Sequence, residues 1–497
     1  MQRISEFKRS IRFSHSVTET QRLFNLLSLR LGDAATRLQR YPLAGKTART
    51  LMLFVALALL PYGLPGLSRY RVLVPNALIN LIGVRAGLAS DAPLAAQDGS
   101  PQPAQANDEV KASAVRAARP GEIEDPSGRA LNAFFAALVK TETAGGQTRV
   151  CHYGDSPITN DGITSTVRRL LQQRFGDAGH GFILIDKPWG WYGHIGVTHE
   201  ASRGWQSDPM FISKGEHYYG LGGVSFTANV ANVTASFGTP SDGDTGRSVA
   251  AFDVYYLARP GGGDFEVAVD GQFNSRVATA SDQIVSGFQR VGVEEGAHQL
   301  TIRTIGNGPV QLFGVVLESL RGGVEYDSLG VNGAFIGLLA HYTDADHWAE
   351  QLRHRRPDLV IIGYGANESQ FERLPMDQYE QDTKEAIRRI RAALPDASIM
   401  LVGPMDRGMR GAGGGIVTRP MIPKLIAYQR RIAAETGCAF FDTFSAMGGE
   451  GTVARWFDAK PRLMGGDFTH PTWQGSEIVG TLIDDAIIRA YEEYKRK

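Results

Sequence analysis

A serine, a histidine and an aspartate stand where they could act together on an acyl group. Ser156 follows Tyr153-Gly154-Asp155, at the end of a short apolar run and just before a helix-like stretch. A serine at such a turn has an exposed hydroxyl that a neighbouring base can activate as a nucleophile. Acyl transfer also needs that base and a carboxylate to orient it. We therefore predict Ser156 as nucleophile, His470 as base and Asp467 as the orienting acid.

Donors for the oxyanion of a tetrahedral intermediate are also present. Two further blocks, containing Gly330 and Asn367, lie between the serine and the Asp-x-x-His pair. Backbone N–H groups and side-chain amides can serve as such donors, so we predict the N–H groups of Ser156 and Gly330 and the amide of Asn367. The carboxyl ends of strands in an open α/β sheet meet at one edge, and all four blocks are expected to converge there.

The elements that must position these residues alternate between apolar strands and helices. Such alternation predicts a mostly parallel sheet covered on both faces. The predicted strands are 149–153, 359–363, 398–403 and 438–444, and the predicted helices are 131–139, 164–175, 376–394, 422–436 and 473–494. We assign residues 130–204 and 321–497 to this α/β domain.

Residues 205–320 have a different hydrophobic pattern. Apolar and polar residues alternate with period two in several short runs, separated by Gly, Asn and Asp, which is typical of a β-sandwich. The α/β pattern resumes afterwards, so we predict that the sandwich is an inserted domain.

The amino-terminal region predicts a membrane anchor. Residues 1–49 carry ten Lys or Arg against three acidic residues, and residues 50–68 then carry no charge. A helix of about 20 apolar residues spans a bilayer, and the basic flank favours a cytoplasmic amino terminus. A cleaved signal sequence is the alternative. Residues 69–129 are predicted to be a juxtamembrane segment and flexible linker.

Composition excludes several classes of function. Lys plus Arg and Asp plus Glu both total 52, so no net charge attracts the chain to nucleic acid. Two cysteines are too few for a four-cysteine metal site. The histidines do not show metal-ligand spacing with an acidic residue, and neither a metal nor another cofactor is predicted.

An aromatic cluster precedes the predicted sandwich. Aromatic faces can stack on sugar rings, and we predict a substrate-binding role for Trp189, Trp191, Tyr192 and Trp205. The alternative is that these rings fill the junction between the two domains.

The four blocks together resemble those of the SGNH, or GDSL-type, hydrolase family. They map onto Ser156, Gly330, Asn367 and the Asp467/His470 pair, over residues 149–204 and 324–497. The resemblance implies a flavodoxin-like, three-layer parallel-sheet fold and a Ser-His-Asp triad. Pro157 after the serine, and Glu368 where many members carry Asp, depart from the pattern. The insertion further resembles the carbohydrate-binding-module-like domain of bacterial peptidoglycan O-acetylesterases.

Taken together, these features predict a serine esterase that removes acyl groups, most simply acetyl, from an envelope or extracellular polysaccharide. The uncharged span and its basic flank predict a single-pass membrane protein with its catalytic domain on the extracytoplasmic side, and the resemblance to bacterial enzymes implies the inner membrane and the periplasm. One alternative is a polysaccharide O-acetyltransferase that uses the same triad, served by a membrane-bound O-acyltransferase. Another is a catalytically idle polysaccharide-binding protein, against which the complete set of blocks argues.

Overall fold

The computed structural model describes residues 119–211 and 218–497. The predicted basic segment, the predicted anchor and most of the predicted linker lie outside the described residues. Within the described ranges, no helix combines the length and the apolar character needed to cross a membrane.

A six-stranded sheet forms the centre of the hydrolase part. Its strands are β1 (Ile123–Glu124), β2 (Gln147–Gly154), β14 (Gly323–Gly330), β15 (Leu359–Gly363), β16 (Ser398–Val402) and β19 (Ala439–Phe441). They lie side by side in the order β1-β19-β16-β15-β2-β14. All neighbours are parallel except the edge pair β1 and β19. Numbered in chain order, the parallel strands follow the flavodoxin-like order 2-1-3-4-5, as predicted.

Helices cover both faces of this sheet. The helices are α1 (Asn132–Ala144), α2 (Gly162–Phe175), α3 (Ile336–His341), α4 (Ala345–Arg355), α5 (Met376–Ala393), α6 (Met421–Thr436), α7 (Thr443–Ala446), α8 (Thr452–Asp458) and α9 (Trp473–Lys495). The side chains of strand β15 contact a different helix layer on each face of the sheet. On one face, Leu359 and Ile361 belong to a buried apolar cluster that includes residues of α1, α2 and α9. Val360 and Ile362, which point the other way, join a cluster with α4, α5 and α6. The predicted three-layer α/β arrangement is confirmed.

Two antiparallel sheets are inserted between α2 and β14. Their strands are β3 (Gly179–Leu184), β4 (Thr198–Ala201), β5 (Gln206–Pro209), β6 (Val224–Ala228), β7 (Thr234–Gly238), β8 (Val249–Ala258), β9 (Asp264–Val269), β10 (Gln272–Ala278), β11 (Val285–Gly296), β12 (Gln299–Thr304) and β13 (Val310–Glu318). One sheet has the order β10-β9-β12-β7-β4, and the other has β11-β8-β13-β6-β5 with β3 also paired to β13.

The inserted sheets bury apolar side chains in a shared cluster. Tyr256 on one sheet contacts Phe265 on the other, with ring centroids 5.6 Å apart, as expected for two sheets packed face to face. Strand β3 belongs to the second sheet through its pairing with β13. The inserted sheets therefore begin at Gly179, ahead of the predicted boundary at residue 205, because the apolar run after α2 reads locally like another strand of the α/β pattern.

Helix α4 joins the insertion to the hydrolase layers. The ring of His354 stacks on Phe288 of β11, with centroids 3.6 Å apart. Arg355, on the same helix, is buried and donates to both carboxylate oxygens of Asp327 on β14. Asp327 also accepts from the backbone N–H of Phe182 on β3. This buried ion pair fixes β14, which ends at Gly330, against the insertion.

A β-hairpin lies between β16 and α6 in the chain. It consists of β17 (Gly408–Arg410) and β18 (Ile416–Thr418). It contacts the turn that precedes α9, through a hydrogen bond from the N–H of Gly408 to the carbonyl of Phe468, 2.8 Å long. The hairpin therefore supports the segment that carries Asp467 and His470.

Candidate active site

Ser156 stands at the carboxyl end of β2, beside the point where the strand order reverses. Strand β2 ends at Gly154, and residues 156–158 form one turn of 3-10 helix that contains Pro157. A side chain at Gly154 would lie 2.9 Å from the carbonyl oxygen of Gly363 on β15, so the close approach of the two strand ends requires glycine. Open α/β sheets bind ligands at this switch point, and the fold thus places Ser156 where a substrate can reach it.

His470 connects Ser156 to Asp467. Nε2 of His470 lies 2.7 Å from Oγ of Ser156, and Nδ1 lies 2.5 Å from Oδ2 of Asp467. Burial alone would raise the pKa of Asp467, but hydrogen bonds from the His470 ring and from the N–H groups of His470 and Thr469 outweigh it and hold the pKa well below its usual range. The ionised carboxylate can only accept, so Nδ1 carries the proton and neutral Nε2 accepts from the serine hydroxyl.

The turn between Asp467 and His470 contains a left-handed residue, Phe468, with φ 57°. Such a conformation costs about 1–3 kcal/mol in a residue other than glycine and persists only where neighbours fix it. The hydrogen bond from Gly408 and the edge-on contact with the ring of Phe457, 5.1 Å between centroids, do so here. The strained turn lets one carboxylate accept from both the ring and the backbone of His470.

Gly330 ends β14 and Asn367 follows β15, the two strands on either side of β2. In the sheet register Gly154 lies opposite both Gly330 and Gly363, and a side chain at Gly330 would lie 2.7 Å from Cγ1 of Ile158. Nδ2 of Asn367 donates to the carbonyl of Ala334 over 2.8 Å, which leaves its second hydrogen for another acceptor. The structure therefore brings the four predicted blocks to one edge of the sheet.

Residues 300–478 match the model of the GDSL-like lipase/acylhydrolase family. This match and the structural likeness given below support the predicted SGNH esterase family. The matched range contains Gly330, Asn367, Asp467 and His470, whereas Ser156 precedes it, because the inserted sheets separate the serine from the other blocks. The chain is accordingly a hydrolase of ester bonds.

Solved structures similar to this chain include a peptidoglycan O-acetylesterase, with a TM-score of 0.63 and 23% identity over 75% of this chain and 99% of that chain. A family two carbohydrate esterase from Clostridium thermocellum shares 14% identity over 60% of this chain and 99% of that chain, with a TM-score of 0.24. By sequence, the chain matches none of the curated proteins. The first likeness shows the fold.

Asp155 and Arg407 connect the three loops that carry Ser156, Asn367 and His470. Neither residue was predicted to belong to the site. Asp155 accepts from the N–H of Ala366 over 3.0 Å, and burial raises the pKa of Asp155 to about 6 although that hydrogen bond lowers it. Arg407 donates from Nε to Oγ1 of Thr469 over 2.9 Å and from Nη1 to the carbonyl of Ala366. Asp155 thus ties the serine turn to the Asn367 loop, and Arg407 ties that loop to the His470 turn.

Glu368, next to Asn367, is a buried acid. Its Oε1 accepts from the N–H of Ile336 over 2.8 Å, while its Oε2 is buried without a hydrogen-bond partner. Burial raises the pKa of Glu368 to about 8, against the lowering effect of the Ile336 N–H. The side chain is therefore protonated and neutral at pH 7. Its hydrogen bond with Ile336 links the Asn367 loop to α3.

Replacing Glu368 with glutamine should make folding less sensitive to pH. The raised pKa means that the stability contributed by the buried acid is complete below about pH 4.5 and is lost as the pH rises towards 8. The rise from 4.5 to about 8 corresponds to a loss on the order of 5 kcal/mol. Thermal melting from pH 5 to pH 9 should show Glu368→Gln gaining stability relative to the wild type, and parallel profiles would contradict the neutral buried acid.

The four aromatic residues predicted to bind substrate have different surroundings. Tyr192 and Trp205 are buried, and their polar atoms are used internally: the Tyr192 hydroxyl accepts from the N–H of Leu184, and Trp205 Nε1 donates to the carbonyl of Thr234. Trp189 is partly buried and packs on the core. A ring without an exposed face cannot stack on a sugar, which corrects the prediction for Tyr192 and Trp205. Trp191 is 55% exposed and remains a predicted contact.

The histidines in the first part of the insertion contact other aromatic rings. His180 and His194 are buried edge to face, 5.5 Å between ring centroids, and His199 stacks on Phe237. Within the described ranges, no group of three or more His, Cys, Asp and Glu side chains is arranged to hold a metal ion. His217 lies outside the described residues.

Proposed function

We propose that this chain is a serine esterase that removes O-acetyl groups from a polysaccharide, with Ser156 as nucleophile. The observation that carries the proposal is the hydrogen-bonded series from Ser156 through His470 to Asp467, at the switch point of the sheet. Such a series is the arrangement by which a base activates a serine hydroxyl.

In the first half of the reaction, Oγ of Ser156 attacks the carbonyl carbon of the ester while Nε2 of His470 takes the hydroxyl proton. Asp467 holds the ring in the required tautomer and stabilises the imidazolium. The tetrahedral intermediate then collapses, the bond to the sugar oxygen breaks, and His470 returns the proton to that oxygen. In the second half, His470 takes a proton from water as the water oxygen attacks the acyl carbon. The bond to Oγ of Ser156 then breaks, His470 returns the proton to Oγ, and acetate leaves.

The N–H groups of Ser156 and Gly330 and the second amide hydrogen of Asn367 would stabilise the oxyanion. Replacing Asn367 with alanine should then lower kcat by about 10²–10³, the scale for losing one such donor. The competing possibility is that Asn367 only fastens its loop to Ala334. In that case the melting temperature would fall and kcat per folded molecule would not. Active-site titration combined with thermal melting of Asn367→Ala separates the two.

Two features support a polysaccharide as the substrate. The first is the fold likeness to a peptidoglycan O-acetylesterase, and the second is the insertion of two packed sheets between the serine and the other blocks. The uncharged residues 50–68 support attachment to a bacterial inner membrane, with the catalytic domain on the extracytoplasmic side. Peptidoglycan is accordingly the first polymer to test.

Exposure of the site favours hydrolysis over transfer. The side chains of His470 and Asp467 are 41% and 54% exposed, so water can reach the base that would activate it for deacylation. A transferase that uses the same residues would need to exclude water from the acyl-enzyme.

An acetate balance tests the proposed function. Purified residues 119–497, which retain β1 of the central sheet, would be incubated with p-nitrophenyl acetate and with O-acetylated peptidoglycan, with and without a sugar acceptor. We expect free acetate to equal the ester bonds consumed in every case. Acetyl groups recovered on the acceptor in place of acetate would instead favour the transferase, and no loss of ester from either substrate would contradict the proposal.

A further inference from the structure

A cleft of about 330 Å³ opens beside Asn367, and no step of the triad chemistry uses it. Its walls come from the loop after β14, the loop after β15 and the start of α5, and include Gly333, Phe335, Asn367, Phe371, Leu374 and Tyr379. The volume lies within the range of small-ligand pockets, about 300–1,000 Å³.

Two hydrogen bonds fix the loops that form the cleft. Asn367 donates to the carbonyl of Ala334, and Glu368 accepts from the N–H of Ile336, each over 2.8 Å. Phe335 lies between these two points, and its ring packs on Gly337, where a Cβ atom would be 3.2 Å from Cε2 of the ring. The cleft is therefore a preformed feature of the fold, which reduces the ordering cost of binding a ligand.

Aromatic rings stand on both loops of the cleft. Phe335 is 41% exposed and Phe371 is 55% exposed, although each lines the cleft. Paired exposed aromatic side chains over an apolar floor mark a binding surface more often than an ordinary stretch of protein surface.

Part of the cleft wall is polar and includes Gln378 and Asp382. Asp382 accepts from Nε2 of His341 over 2.8 Å and from Nε2 of Gln378 over 2.7 Å. The cleft thus combines apolar ring faces with a fixed group of hydrogen-bonding side chains. A pyranose ring has the matching surface, because its C–H faces are apolar and its hydroxyl groups lie around the edge.

We propose that this cleft binds sugar rings of the acetylated polysaccharide, stacked on Phe335 and Phe371, next to the sugar whose ester is at Ser156. The inference rests on the proposed function, and the continuity of the two sites supports it, since Asn367 belongs to both the cleft and the predicted oxyanion hole. Binding energy from these remote rings would be available to lower the barrier at the ester.

The test compares two substrates in Phe335→Ala, Phe371→Ala and the double variant. The quantity measured is the ratio of kcat/KM for O-acetylated peptidoglycan to kcat/KM for p-nitrophenyl acetate. We expect the ratio to fall about tenfold in the double variant, the scale of two aromatic contacts. Phe273→Ala is the matched control, because Phe273 is also an exposed phenylalanine, at 66%, but lies on β10 at an edge of the insertion. The control should keep the wild-type ratio.

An unchanged ratio in the double variant would overturn the proposal. A loss confined to p-nitrophenyl octanoate, relative to the acetate, would also overturn it, because the cleft would then hold an acyl chain. Sedimentation of the Ser156→Ala protein with insoluble peptidoglycan gives a readout that does not require turnover. Weaker sedimentation after adding both Phe→Ala changes supports the cleft even if the esterase assay fails, and undiminished sedimentation contradicts it.

Discussion

Ser156→Ala and His470→Ala should each lower kcat by about 10⁴–10⁶ without unfolding the protein, since both belong to one acting unit. The 2.7 Å contact between Nε2 of His470 and Oγ of Ser156 means that removing either partner removes the activated nucleophile. The double variant should be about as inactive as either single variant, because losses within one unit do not add. Rates with p-nitrophenyl acetate, together with thermal melting, provide the measurement.

His298 offers a matched control for the histidine. It also forms a pair through Nδ1 with a carboxylate, Asp270, over 2.7 Å, but on the inserted sheets. His298→Ala should therefore retain wild-type turnover. If His470→Ala behaved like His298→Ala, the assignment of His470 as the base would be wrong.

Asp467→Asn should lower kcat by about 10⁴ while preserving the shape of the site. The asparagine amide would donate to Nδ1 of His470 and so force the ring proton onto Nε2. Nε2 would then face the Ser156 hydroxyl as a donor and could not accept its proton. Because the pKa of Asp467 is low, its carboxylate stays charged throughout the neutral and mildly acidic pH range. The fall in kcat caused by Asp467→Asn should therefore be present across that range.

The corresponding control is Asp270→Asn, which changes the second His–Asp pair in the same way. We expect no change in kcat from Asp270→Asn. An Asp467→Asn variant with kcat within tenfold of the wild type would show that the carboxylate does not select the tautomer of the base.

The α/β domain could be predicted closely because its strands are buried on both faces. Strand Leu359–Gly363 and helix Met376–Ala393 match the predicted ranges to within one residue, since a short apolar run and an amphipathic period are local signals. Strands β10 and β11 were not predicted. Both lie at sheet edges and bury few side chains, so their sequences lack the alternation that indicates a strand.

The convergence of the four blocks could be predicted from strand-end placement, but the residues that connect them could not. Asp155 meets Ala366 across 211 positions of sequence, and Arg407 meets Thr469 across 62, so no local pattern indicates either contact. The density of aromatic residues between β3 and β5 was a misleading signal for Tyr192 and Trp205. Whether a ring is exposed depends on the domain junction, which forms only when the inserted sheets pack against their neighbours.

The most direct test of the account is to find the residue that carries the nucleophile. A fluorophosphonate ester forms a stable adduct with an activated serine and imitates the tetrahedral intermediate, and peptide mass mapping locates the adduct. The account predicts one adduct per chain, on Ser156, formed in parallel with the loss of esterase activity and absent from Ser156→Ala and His470→Ala. Loss of activity with the adduct on a different residue, or stoichiometric labelling of the Ser156→Ala protein, would contradict it.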